Sequence, residues 1–410
     1  RKLDARGQVV WETAIGVAAP LFTAYVIWLE ARARDLGLER LYFISRDGLI
    51  FKKIYDRLFS AEAARPESRY LYGSRQAWSG VQAARLESRD VDALTRPGTG
   101  MSFGQFLRRC GLDKECRLPA LAWSRPPLES DLLEPDQLAE LKAFLSSGVL
   151  RERVQQAGRE KSQKAAQYLR QEGLGSGRYG LVDLGWFGNL QEWVAALLPE
   201  NPPTMGFYLD LRLRPRIQRE GRAEAWVSAL PFRGIDLASS ITLLEILAGS
   251  SEGSVIGYQK TGQGWSAVAD PARAGNGPEQ WADLQHEAIL KFVEELLQQP
   301  GGARNLAHSR PVALRNLQIF LCHPSRREAD VYGEICFTSN QEGGEGVILA
   351  PALHLAKTWK IFFQGFWKRQ VSWPPGMIAR AGGVAKGLLL LRYRITQGVN
   401  FVRSWLGSPG

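Results

Sequence analysis

The chain has 410 residues, 45% of them hydrophobic and 23% charged, a composition that builds packed cores and excludes disorder for its bulk. Fifty-two Lys and Arg against 42 Asp and Glu give a formal charge of +10. The last acidic residue is Glu345 and nine basic residues follow it, so residues 1–345 carry only +1, which argues against a nucleic-acid-wrapping body.

From the amino terminus, Ile15–Leu29 is an apolar run containing Pro20 and bracketed by Glu12 and Glu30. It falls short of the roughly 20 residues of a spanning helix and lacks a cleavage-site pattern. It reads as a buried helix that Pro20 kinks or breaks. A helical stretch, Phe22–Leu36, leads into the strand Leu41–Ile44, the turn Ser45–Gly48 and a helix over Leu49–Phe59. Tyr70–Tyr72 is strand-like and precedes Gly73, Ser74 and Arg75. Glu134–Gln171 is long and charged but sustains no heptad, which predicts two packed helices. Tyr179–Val182 reads as a strand, Asp183–Gly188 as a Gly-rich turn, Asn189–Leu198 as a helix stopped by Pro199, and Met205–Leu209 as the next strand. Pro278–Gln299 predicts another helix, stopped by Pro300.

Strand–helix–strand order of this kind predicts an α/β fold: a Rossmann-like, mostly parallel sheet with helical additions and a basic amphipathic carboxyl-terminal tail. The expected division is a catalytic core at 1–260, an accessory α/β region at 261–350 and the tail at 351–410. The chain starts at Arg1 rather than Met, which suits a domain cut from a longer polypeptide.

Ligands of parallel sheets sit at the carboxyl ends of the strands, where both turns fall. Ser45-Arg46-Asp47-Gly48 sets a hydroxyl, a guanidinium and a carboxylate where a helix begins. Arg forks onto phosphate oxygens and Asp holds a metal or accepts a proton. The plainer alternative is that Ser45 or Asp47 caps the helix. Ser74 and Arg75 repeat the Ser-Arg pair after a second strand, as an anion contact or as a cap. Asp183 closes a strand, Gly185 and Gly188 let backbone approach a ligand, and Trp186 either stacks on a sugar ring or fills a tight turn. Glu245, a lone carboxylate in an apolar helix, is functional or bonded to an Arg, and Ser250–Ser254 could edge the same site. Asp90-Val91-Asp92 matches Asp-x-Asp formally, yet it follows a charged segment and reads as a solvated helix start. There is no Walker loop, no G-x-G-x-x-G after a strand and no G-x-S-x-G. The four Cys and four His are scattered without zinc or redox spacing, which predicts a reducing compartment.

In the tail, Val384, Leu388, Leu391, Ile395, Val399, Val402 and Leu406 recur on one helix face, flanked by Arg392, Arg394 and Arg403. Trp359, Phe362, Phe363, Phe366, Trp367, Lys368, Arg369 and Trp373 lie upstream. This pattern suits a helix on an anionic membrane surface, or equally a core helix packing its stripe on the domain.

The strings "LYFISRDGLIFKKIYDRL", "YLYGSR", "LVDLGWFGNLQ" and "LLEILAGSSEGSVIGY", in this order, resemble the glycan phosphoribosyltransferase domain of bacterial polysaccharide ribofuranosyltransferases, usually fused to a haloacid-dehalogenase-type phosphatase. The likeness covers roughly residues 10–260 and, more loosely, Trp373–Gly376. It implies transfer of 5-phosphoribose from 5-phosphoribosyl-1-diphosphate (PRPP) to a lipid-linked O-antigen or capsule glycan. A separate phosphatase domain or protein then removes the 5-phosphate, since the Asp-x-Asp-x-Thr nucleophile is missing here. On this resemblance Asp47, Asp183 and Glu245 are the candidate catalytic carboxylates. Ser45, Arg46, Gly48, Ser74, Arg75, Gly185 and Trp186 would bind the donor, and Mg²⁺ on Asp47 and Asp183 would assist the diphosphate. The expected location is cytoplasmic, peripheral at the inner membrane face, with no nucleic-acid partner. The rivals are a sugar-nucleotide-dependent transferase of the same pathway and a non-catalytic membrane-peripheral assembly protein.

Overall fold

The structure is a computed structural model that describes residues 3–95, 101–112, 123–146, 148–212, 218, 220–228, 237–270, 278–337, 347–352, 355–365 and 371–405. Strands β1 (Arg40–Ile44), β2 (Glu67–Leu71), β3 (Tyr179–Asp183), β4 (Met205–Leu211) and β5 (Ala223–Ser228) form one sheet in the order β2-β1-β3-β4-β5. Every pairing in it is parallel. The expected α/β fold is therefore present.

Both faces are covered, and the strand sequences show why. All residues of β3 and β4 are buried, as continuous apolar runs in a two-sided sheet must be. Side chains of β1 alternate between two cores: Leu41 and Phe43 join the helices of the amino terminus, whereas Tyr42 and Ile44 face Tyr168, Leu169 and Trp193. The first core also takes in residues from helices Ala282–Gln298 and Arg310–Cys322, and fully buried Trp373. A hairpin, β6 (Val255–Thr261) with β7 (Gly264–Ala269), straddles position 260 and leans on the second core through Val255 and Tyr258.

The apolar run at the amino terminus lies within a helical span over Ala5–Asp35 that is long and apolar enough to cross a membrane, yet two-thirds of its most apolar stretch is buried inside the protein. Pro20 does not break it. A π-helical turn over Ala14–Ala18 precedes Ala19–Asp35, and the carbonyl of Gly16, four residues before the proline, accepts a hydrogen bond from Asn316 Nδ2 at 2.9 Å. A side chain thus occupies an acceptor that the proline, having no N–H, leaves open.

Between β2 and β3 the chain builds a helical insertion. Glu134–Gln171 is two helices, Pro135–Ser146 and Val149–Gln171, as the missing heptad predicts. With helices Gly80–Arg85, Ser88–Leu94 and Phe103–Cys110 they enclose a separate core that includes Ala83, Phe106, Leu141 and Val154. Asp90 does sit in the first turn of a helix, but it is buried and bonded to Arg85 at 2.5 and 2.7 Å rather than solvated.

Candidate active site

The sheet order fixes where a ligand goes. From β1 the chain crosses to β2 on one side; from β3 it winds through β4 to β5 on the other. The crevice at the carboxyl ends of β1 and β3 is the switch point at which such sheets bind ligands. Asp47 follows β1 by three residues and Asp183 is the last residue of β3, so both acids stand on this crevice.

Local structure removes the plain explanation for Asp47. It begins the helix Gly48–Leu58, but its side chain makes no capping bond. Ser45 caps nothing either: its hydroxyl donates to the Gly73 carbonyl at 2.9 Å and accepts from the Gly73 N–H at 3.0 Å, tying the β1 turn to the β2 turn. Gly48 is needed for space, since a Cβ there would lie 2.8 Å from the carbonyl carbon of Phe43.

Asp47, Asp183 and Glu245 lie within one electrostatic neighbourhood that also holds Arg46 and Arg75. Asp47 is half-buried at the rim. Burial, then the charge of Glu245, push its carboxyl up to about 7 against the opposing pull of Arg46 and Arg75. Asp183 is buried, and burial followed by the charge of Asp47 raises it to about 8, opposed by the Leu184 N–H that donates to its Oδ1 at 2.9 Å. Near neutral pH this group of carboxyls therefore holds a proton that isolated acids would have released.

The other expected residues divide by role. Glu245 accepts from Trp186 Nε1 at 3.1 Å. Trp186 itself is buried in the first core, which corrects the expectation that it stacks on a sugar: it positions Glu245 instead. Gly185 makes a close approach, but to protein. A Cβ there would meet the Asp210 carbonyl at 2.5 Å. Ser74 caps the short helix Arg75–Trp78 through the Ala77 N–H at 2.9 Å and donates its hydrogen to the Val255 carbonyl, so its hydroxyl serves the fold, while Arg75 is exposed at the mouth. In the Ser250–Ser254 loop, Glu252 accepts from Tyr70 OH at 2.7 Å, and Tyr70 lies close enough to Asp47 to feel its charge.

Two residues escaped sequence reasoning. Asp210, fully buried in β4, is ion-paired with Arg212 just beyond it. Their backbones continue the pairing past β3: the Asp210 N–H donates to Leu184 O at 3.2 Å and the Arg212 N–H to Trp186 O at 2.8 Å. The pair underlies the turn that carries Asp183 and Trp186. An acid inside the apolar run Met205–Leu211 was the available signal.

Two clefts lie off the switch point and share none of these carboxylates. One, of about 380 Å³, is bounded by Glu12, Asn316 and Arg327; the other, of about 320 Å³, by Gln76, Lys161, Lys164 and Tyr258. Among the described residues no three His, Cys, Asp or Glu gather into a metal cage, and Cys110, Cys322 and Cys336 are free thiols. Two neighbouring hard carboxylates do fit Mg²⁺ in the mode where substrate phosphates complete its shell.

No protein-family model and no curated protein matches the chain.

Proposed function

We propose that this protein is a glycan phosphoribosyltransferase that moves 5-phosphoribose from PRPP to a hydroxyl of a lipid-linked bacterial surface glycan, with a separate phosphatase acting afterwards. The convergence of Asp47, Asp183 and Glu245 with Arg46 and Arg75 at the β1/β3 switch point is the observation that carries this reading. An ionised carboxylate suits the proton of an acceptor hydroxyl, and two guanidinium groups suit a donor rich in phosphate charge.

In the reaction, the acceptor oxygen forms a bond to C1 of the ribose as the C1–O bond to diphosphate breaks. The leaving diphosphate keeps the electron pair, and the acceptor's proton passes to Asp47 or Asp183. A carboxyl pushed up to about 7, as at Asp47, matches the operating pH of such a base. Displacement from the opposite face turns the α-configured donor into a β-ribofuranoside. Arg46 and Arg75 offset charge that gathers on the diphosphate. Mg²⁺, held by Asp47 and Asp183, would supply further charge neutralisation there. Trp186 keeps Glu245 oriented beside Asp47.

The test is mass spectrometry of a synthetic glycan acceptor incubated with PRPP and, in parallel, with nucleotide-ribose donors. A gain of one phosphopentose from PRPP alone is expected. Transfer only from the nucleotide donors would establish the sugar-nucleotide rival, and normal turnover by both Asp47→Asn and Asp183→Asn would end the assignment of the base.

A further inference from the structure

The last two long helices leave an apolar face uncovered, and it is the face that sequence periodicity picks out. In Gly383–Trp405, Leu389 is fully buried and Tyr393 packs against the first core, so the helix docks by those residues. Val384 is 70% exposed and Leu391 51%, with Ile395 also exposed. Of the stripe, Val384, Leu391 and Ile395 are thus left outside the core, whereas Leu388 is half-buried; the side chains of Val399, Val402 and Leu406 lie outside the described residues. An earlier helix, Leu355–Gln364, packs beside it and buries Thr358 and Ile361. Its next face carries Trp359 and Phe363, rings stacked 5.9 Å apart, with Phe363 73% exposed.

The charge that these two helices themselves carry has one sign. Lys360, Lys386 and Arg394 are exposed on the same two helices, and no Asp or Glu occurs anywhere in residues 346–410. Two other tail groups are spent inside the protein: Arg380 bonds Asp330 at 3.2 Å and Glu334 at 2.8 Å, and the Trp373 indole donates to Leu321 O at 2.9 Å. The expectation that Trp373 belongs to an interfacial set is corrected by its complete burial.

We infer that this face docks on an anionic lipid bilayer, with Trp359, Phe363, Leu391 and Ile395 entering the headgroup boundary and Lys360, Lys386 and Arg394 facing acidic headgroups. Exposed aromatic and aliphatic residues ringed by cations are the composition that such a surface retains. A second copy is a poor occupant. Two-fold pairing through this face would set its cations against themselves with no acid from the segment between them. The inference is independent of the reaction proposed above.

The experiment is co-sedimentation of the full chain with vesicles of phosphatidylcholine, alone or mixed with phosphatidylglycerol, at low and high salt. Binding to the mixed vesicles only, weakened by salt, is expected. Phe363→Glu and Leu391→Glu should each weaken it by roughly tenfold or more. Lys386→Gln and Arg394→Gln should each cost about fivefold, and these exposed polar changes decide the matter if an apolar one unfolds the protein. Equal binding to both vesicles, binding to neither, or unchanged binding by variants with wild-type melting curves would overturn the inference. So would a concentration-dependent dimer in sedimentation velocity that the same substitutions abolish.

Discussion

Replacing Asp183 with Asn should make the protein more stable and less active at once. The carboxyl rises from 3.8 to about 8 in the folded state, so keeping Asp183 ionised costs on the order of 5 kcal/mol. Between about pH 4 and about pH 8 the folded state holds a proton that the unfolded state has released, so wild-type stability falls as pH rises through this window. The variant lacks the Asp183 part of that slope and keeps the part that Asp47 contributes up to about pH 7. Urea unfolding of both proteins across the window should show the stability difference widening by about 1 kcal/mol per pH unit and levelling off above about pH 8. Transfer activity of the variant should drop by about a hundredfold or more if Asp183 is the base. Parallel stability curves would refute the assignment of a proton to this buried acid, whatever happened to activity.

Three further outcomes follow from the same geometry. Trp186→Phe removes the N–H that Glu245 accepts; it should lower kcat with little change in KM and cost about 2 kcal/mol of stability, read by kinetics and thermal unfolding. Asp210→Ala leaves the largely buried Arg212 without its carboxylate and should destabilise by about 3 kcal/mol, with protease sensitivity at the turn after β3, whereas an unchanged melting temperature would show that the pair is dispensable. His286, lowered to about 4 first by burial and then by Lys53, stays neutral while the unfolded chain protonates. Relative to His286→Gln, wild-type stability should therefore fall by about 3 kcal/mol as pH drops from about 6.5 to about 4, measured by denaturant titration.

The fold was legible because its signals are local. Apolar β-branched and aromatic runs bounded by Gly, Ser and Pro marked β1, β3 and β4, and their order implied a parallel sheet. Asp47 and Asp183 were legible for the same reason, since each stands at the end of such a run. What a turn touches was not legible. Gly185 and Trp186 looked poised for a ligand, but their environment is set by β4, which enters the chain later and brings Asp210 against the glycine. Likewise Trp373 shares its aromatic character with Phe363; only tertiary packing buries one and exposes the other. Ser74 could be read as cap or ligand from sequence, and the hairpin carbonyl of Val255, which takes its hydrogen, is a distant partner that no spacing rule reveals.

The helical insertion has a consequence for how the chain can change over time. β1 and β3 are neighbours in register, Arg40 beside Tyr179, although the whole of residues 72–178 intervenes. Loop-closure entropy grows only logarithmically, so doubling that span would add about 0.6 kcal/mol to bringing the two central strands together. The insertion also carries its own core, so its stability is partly its own affair. Polymer statistics thus leave this stretch open to replacement or enlargement, while the paired strands on either side must keep their register for the two acids to meet.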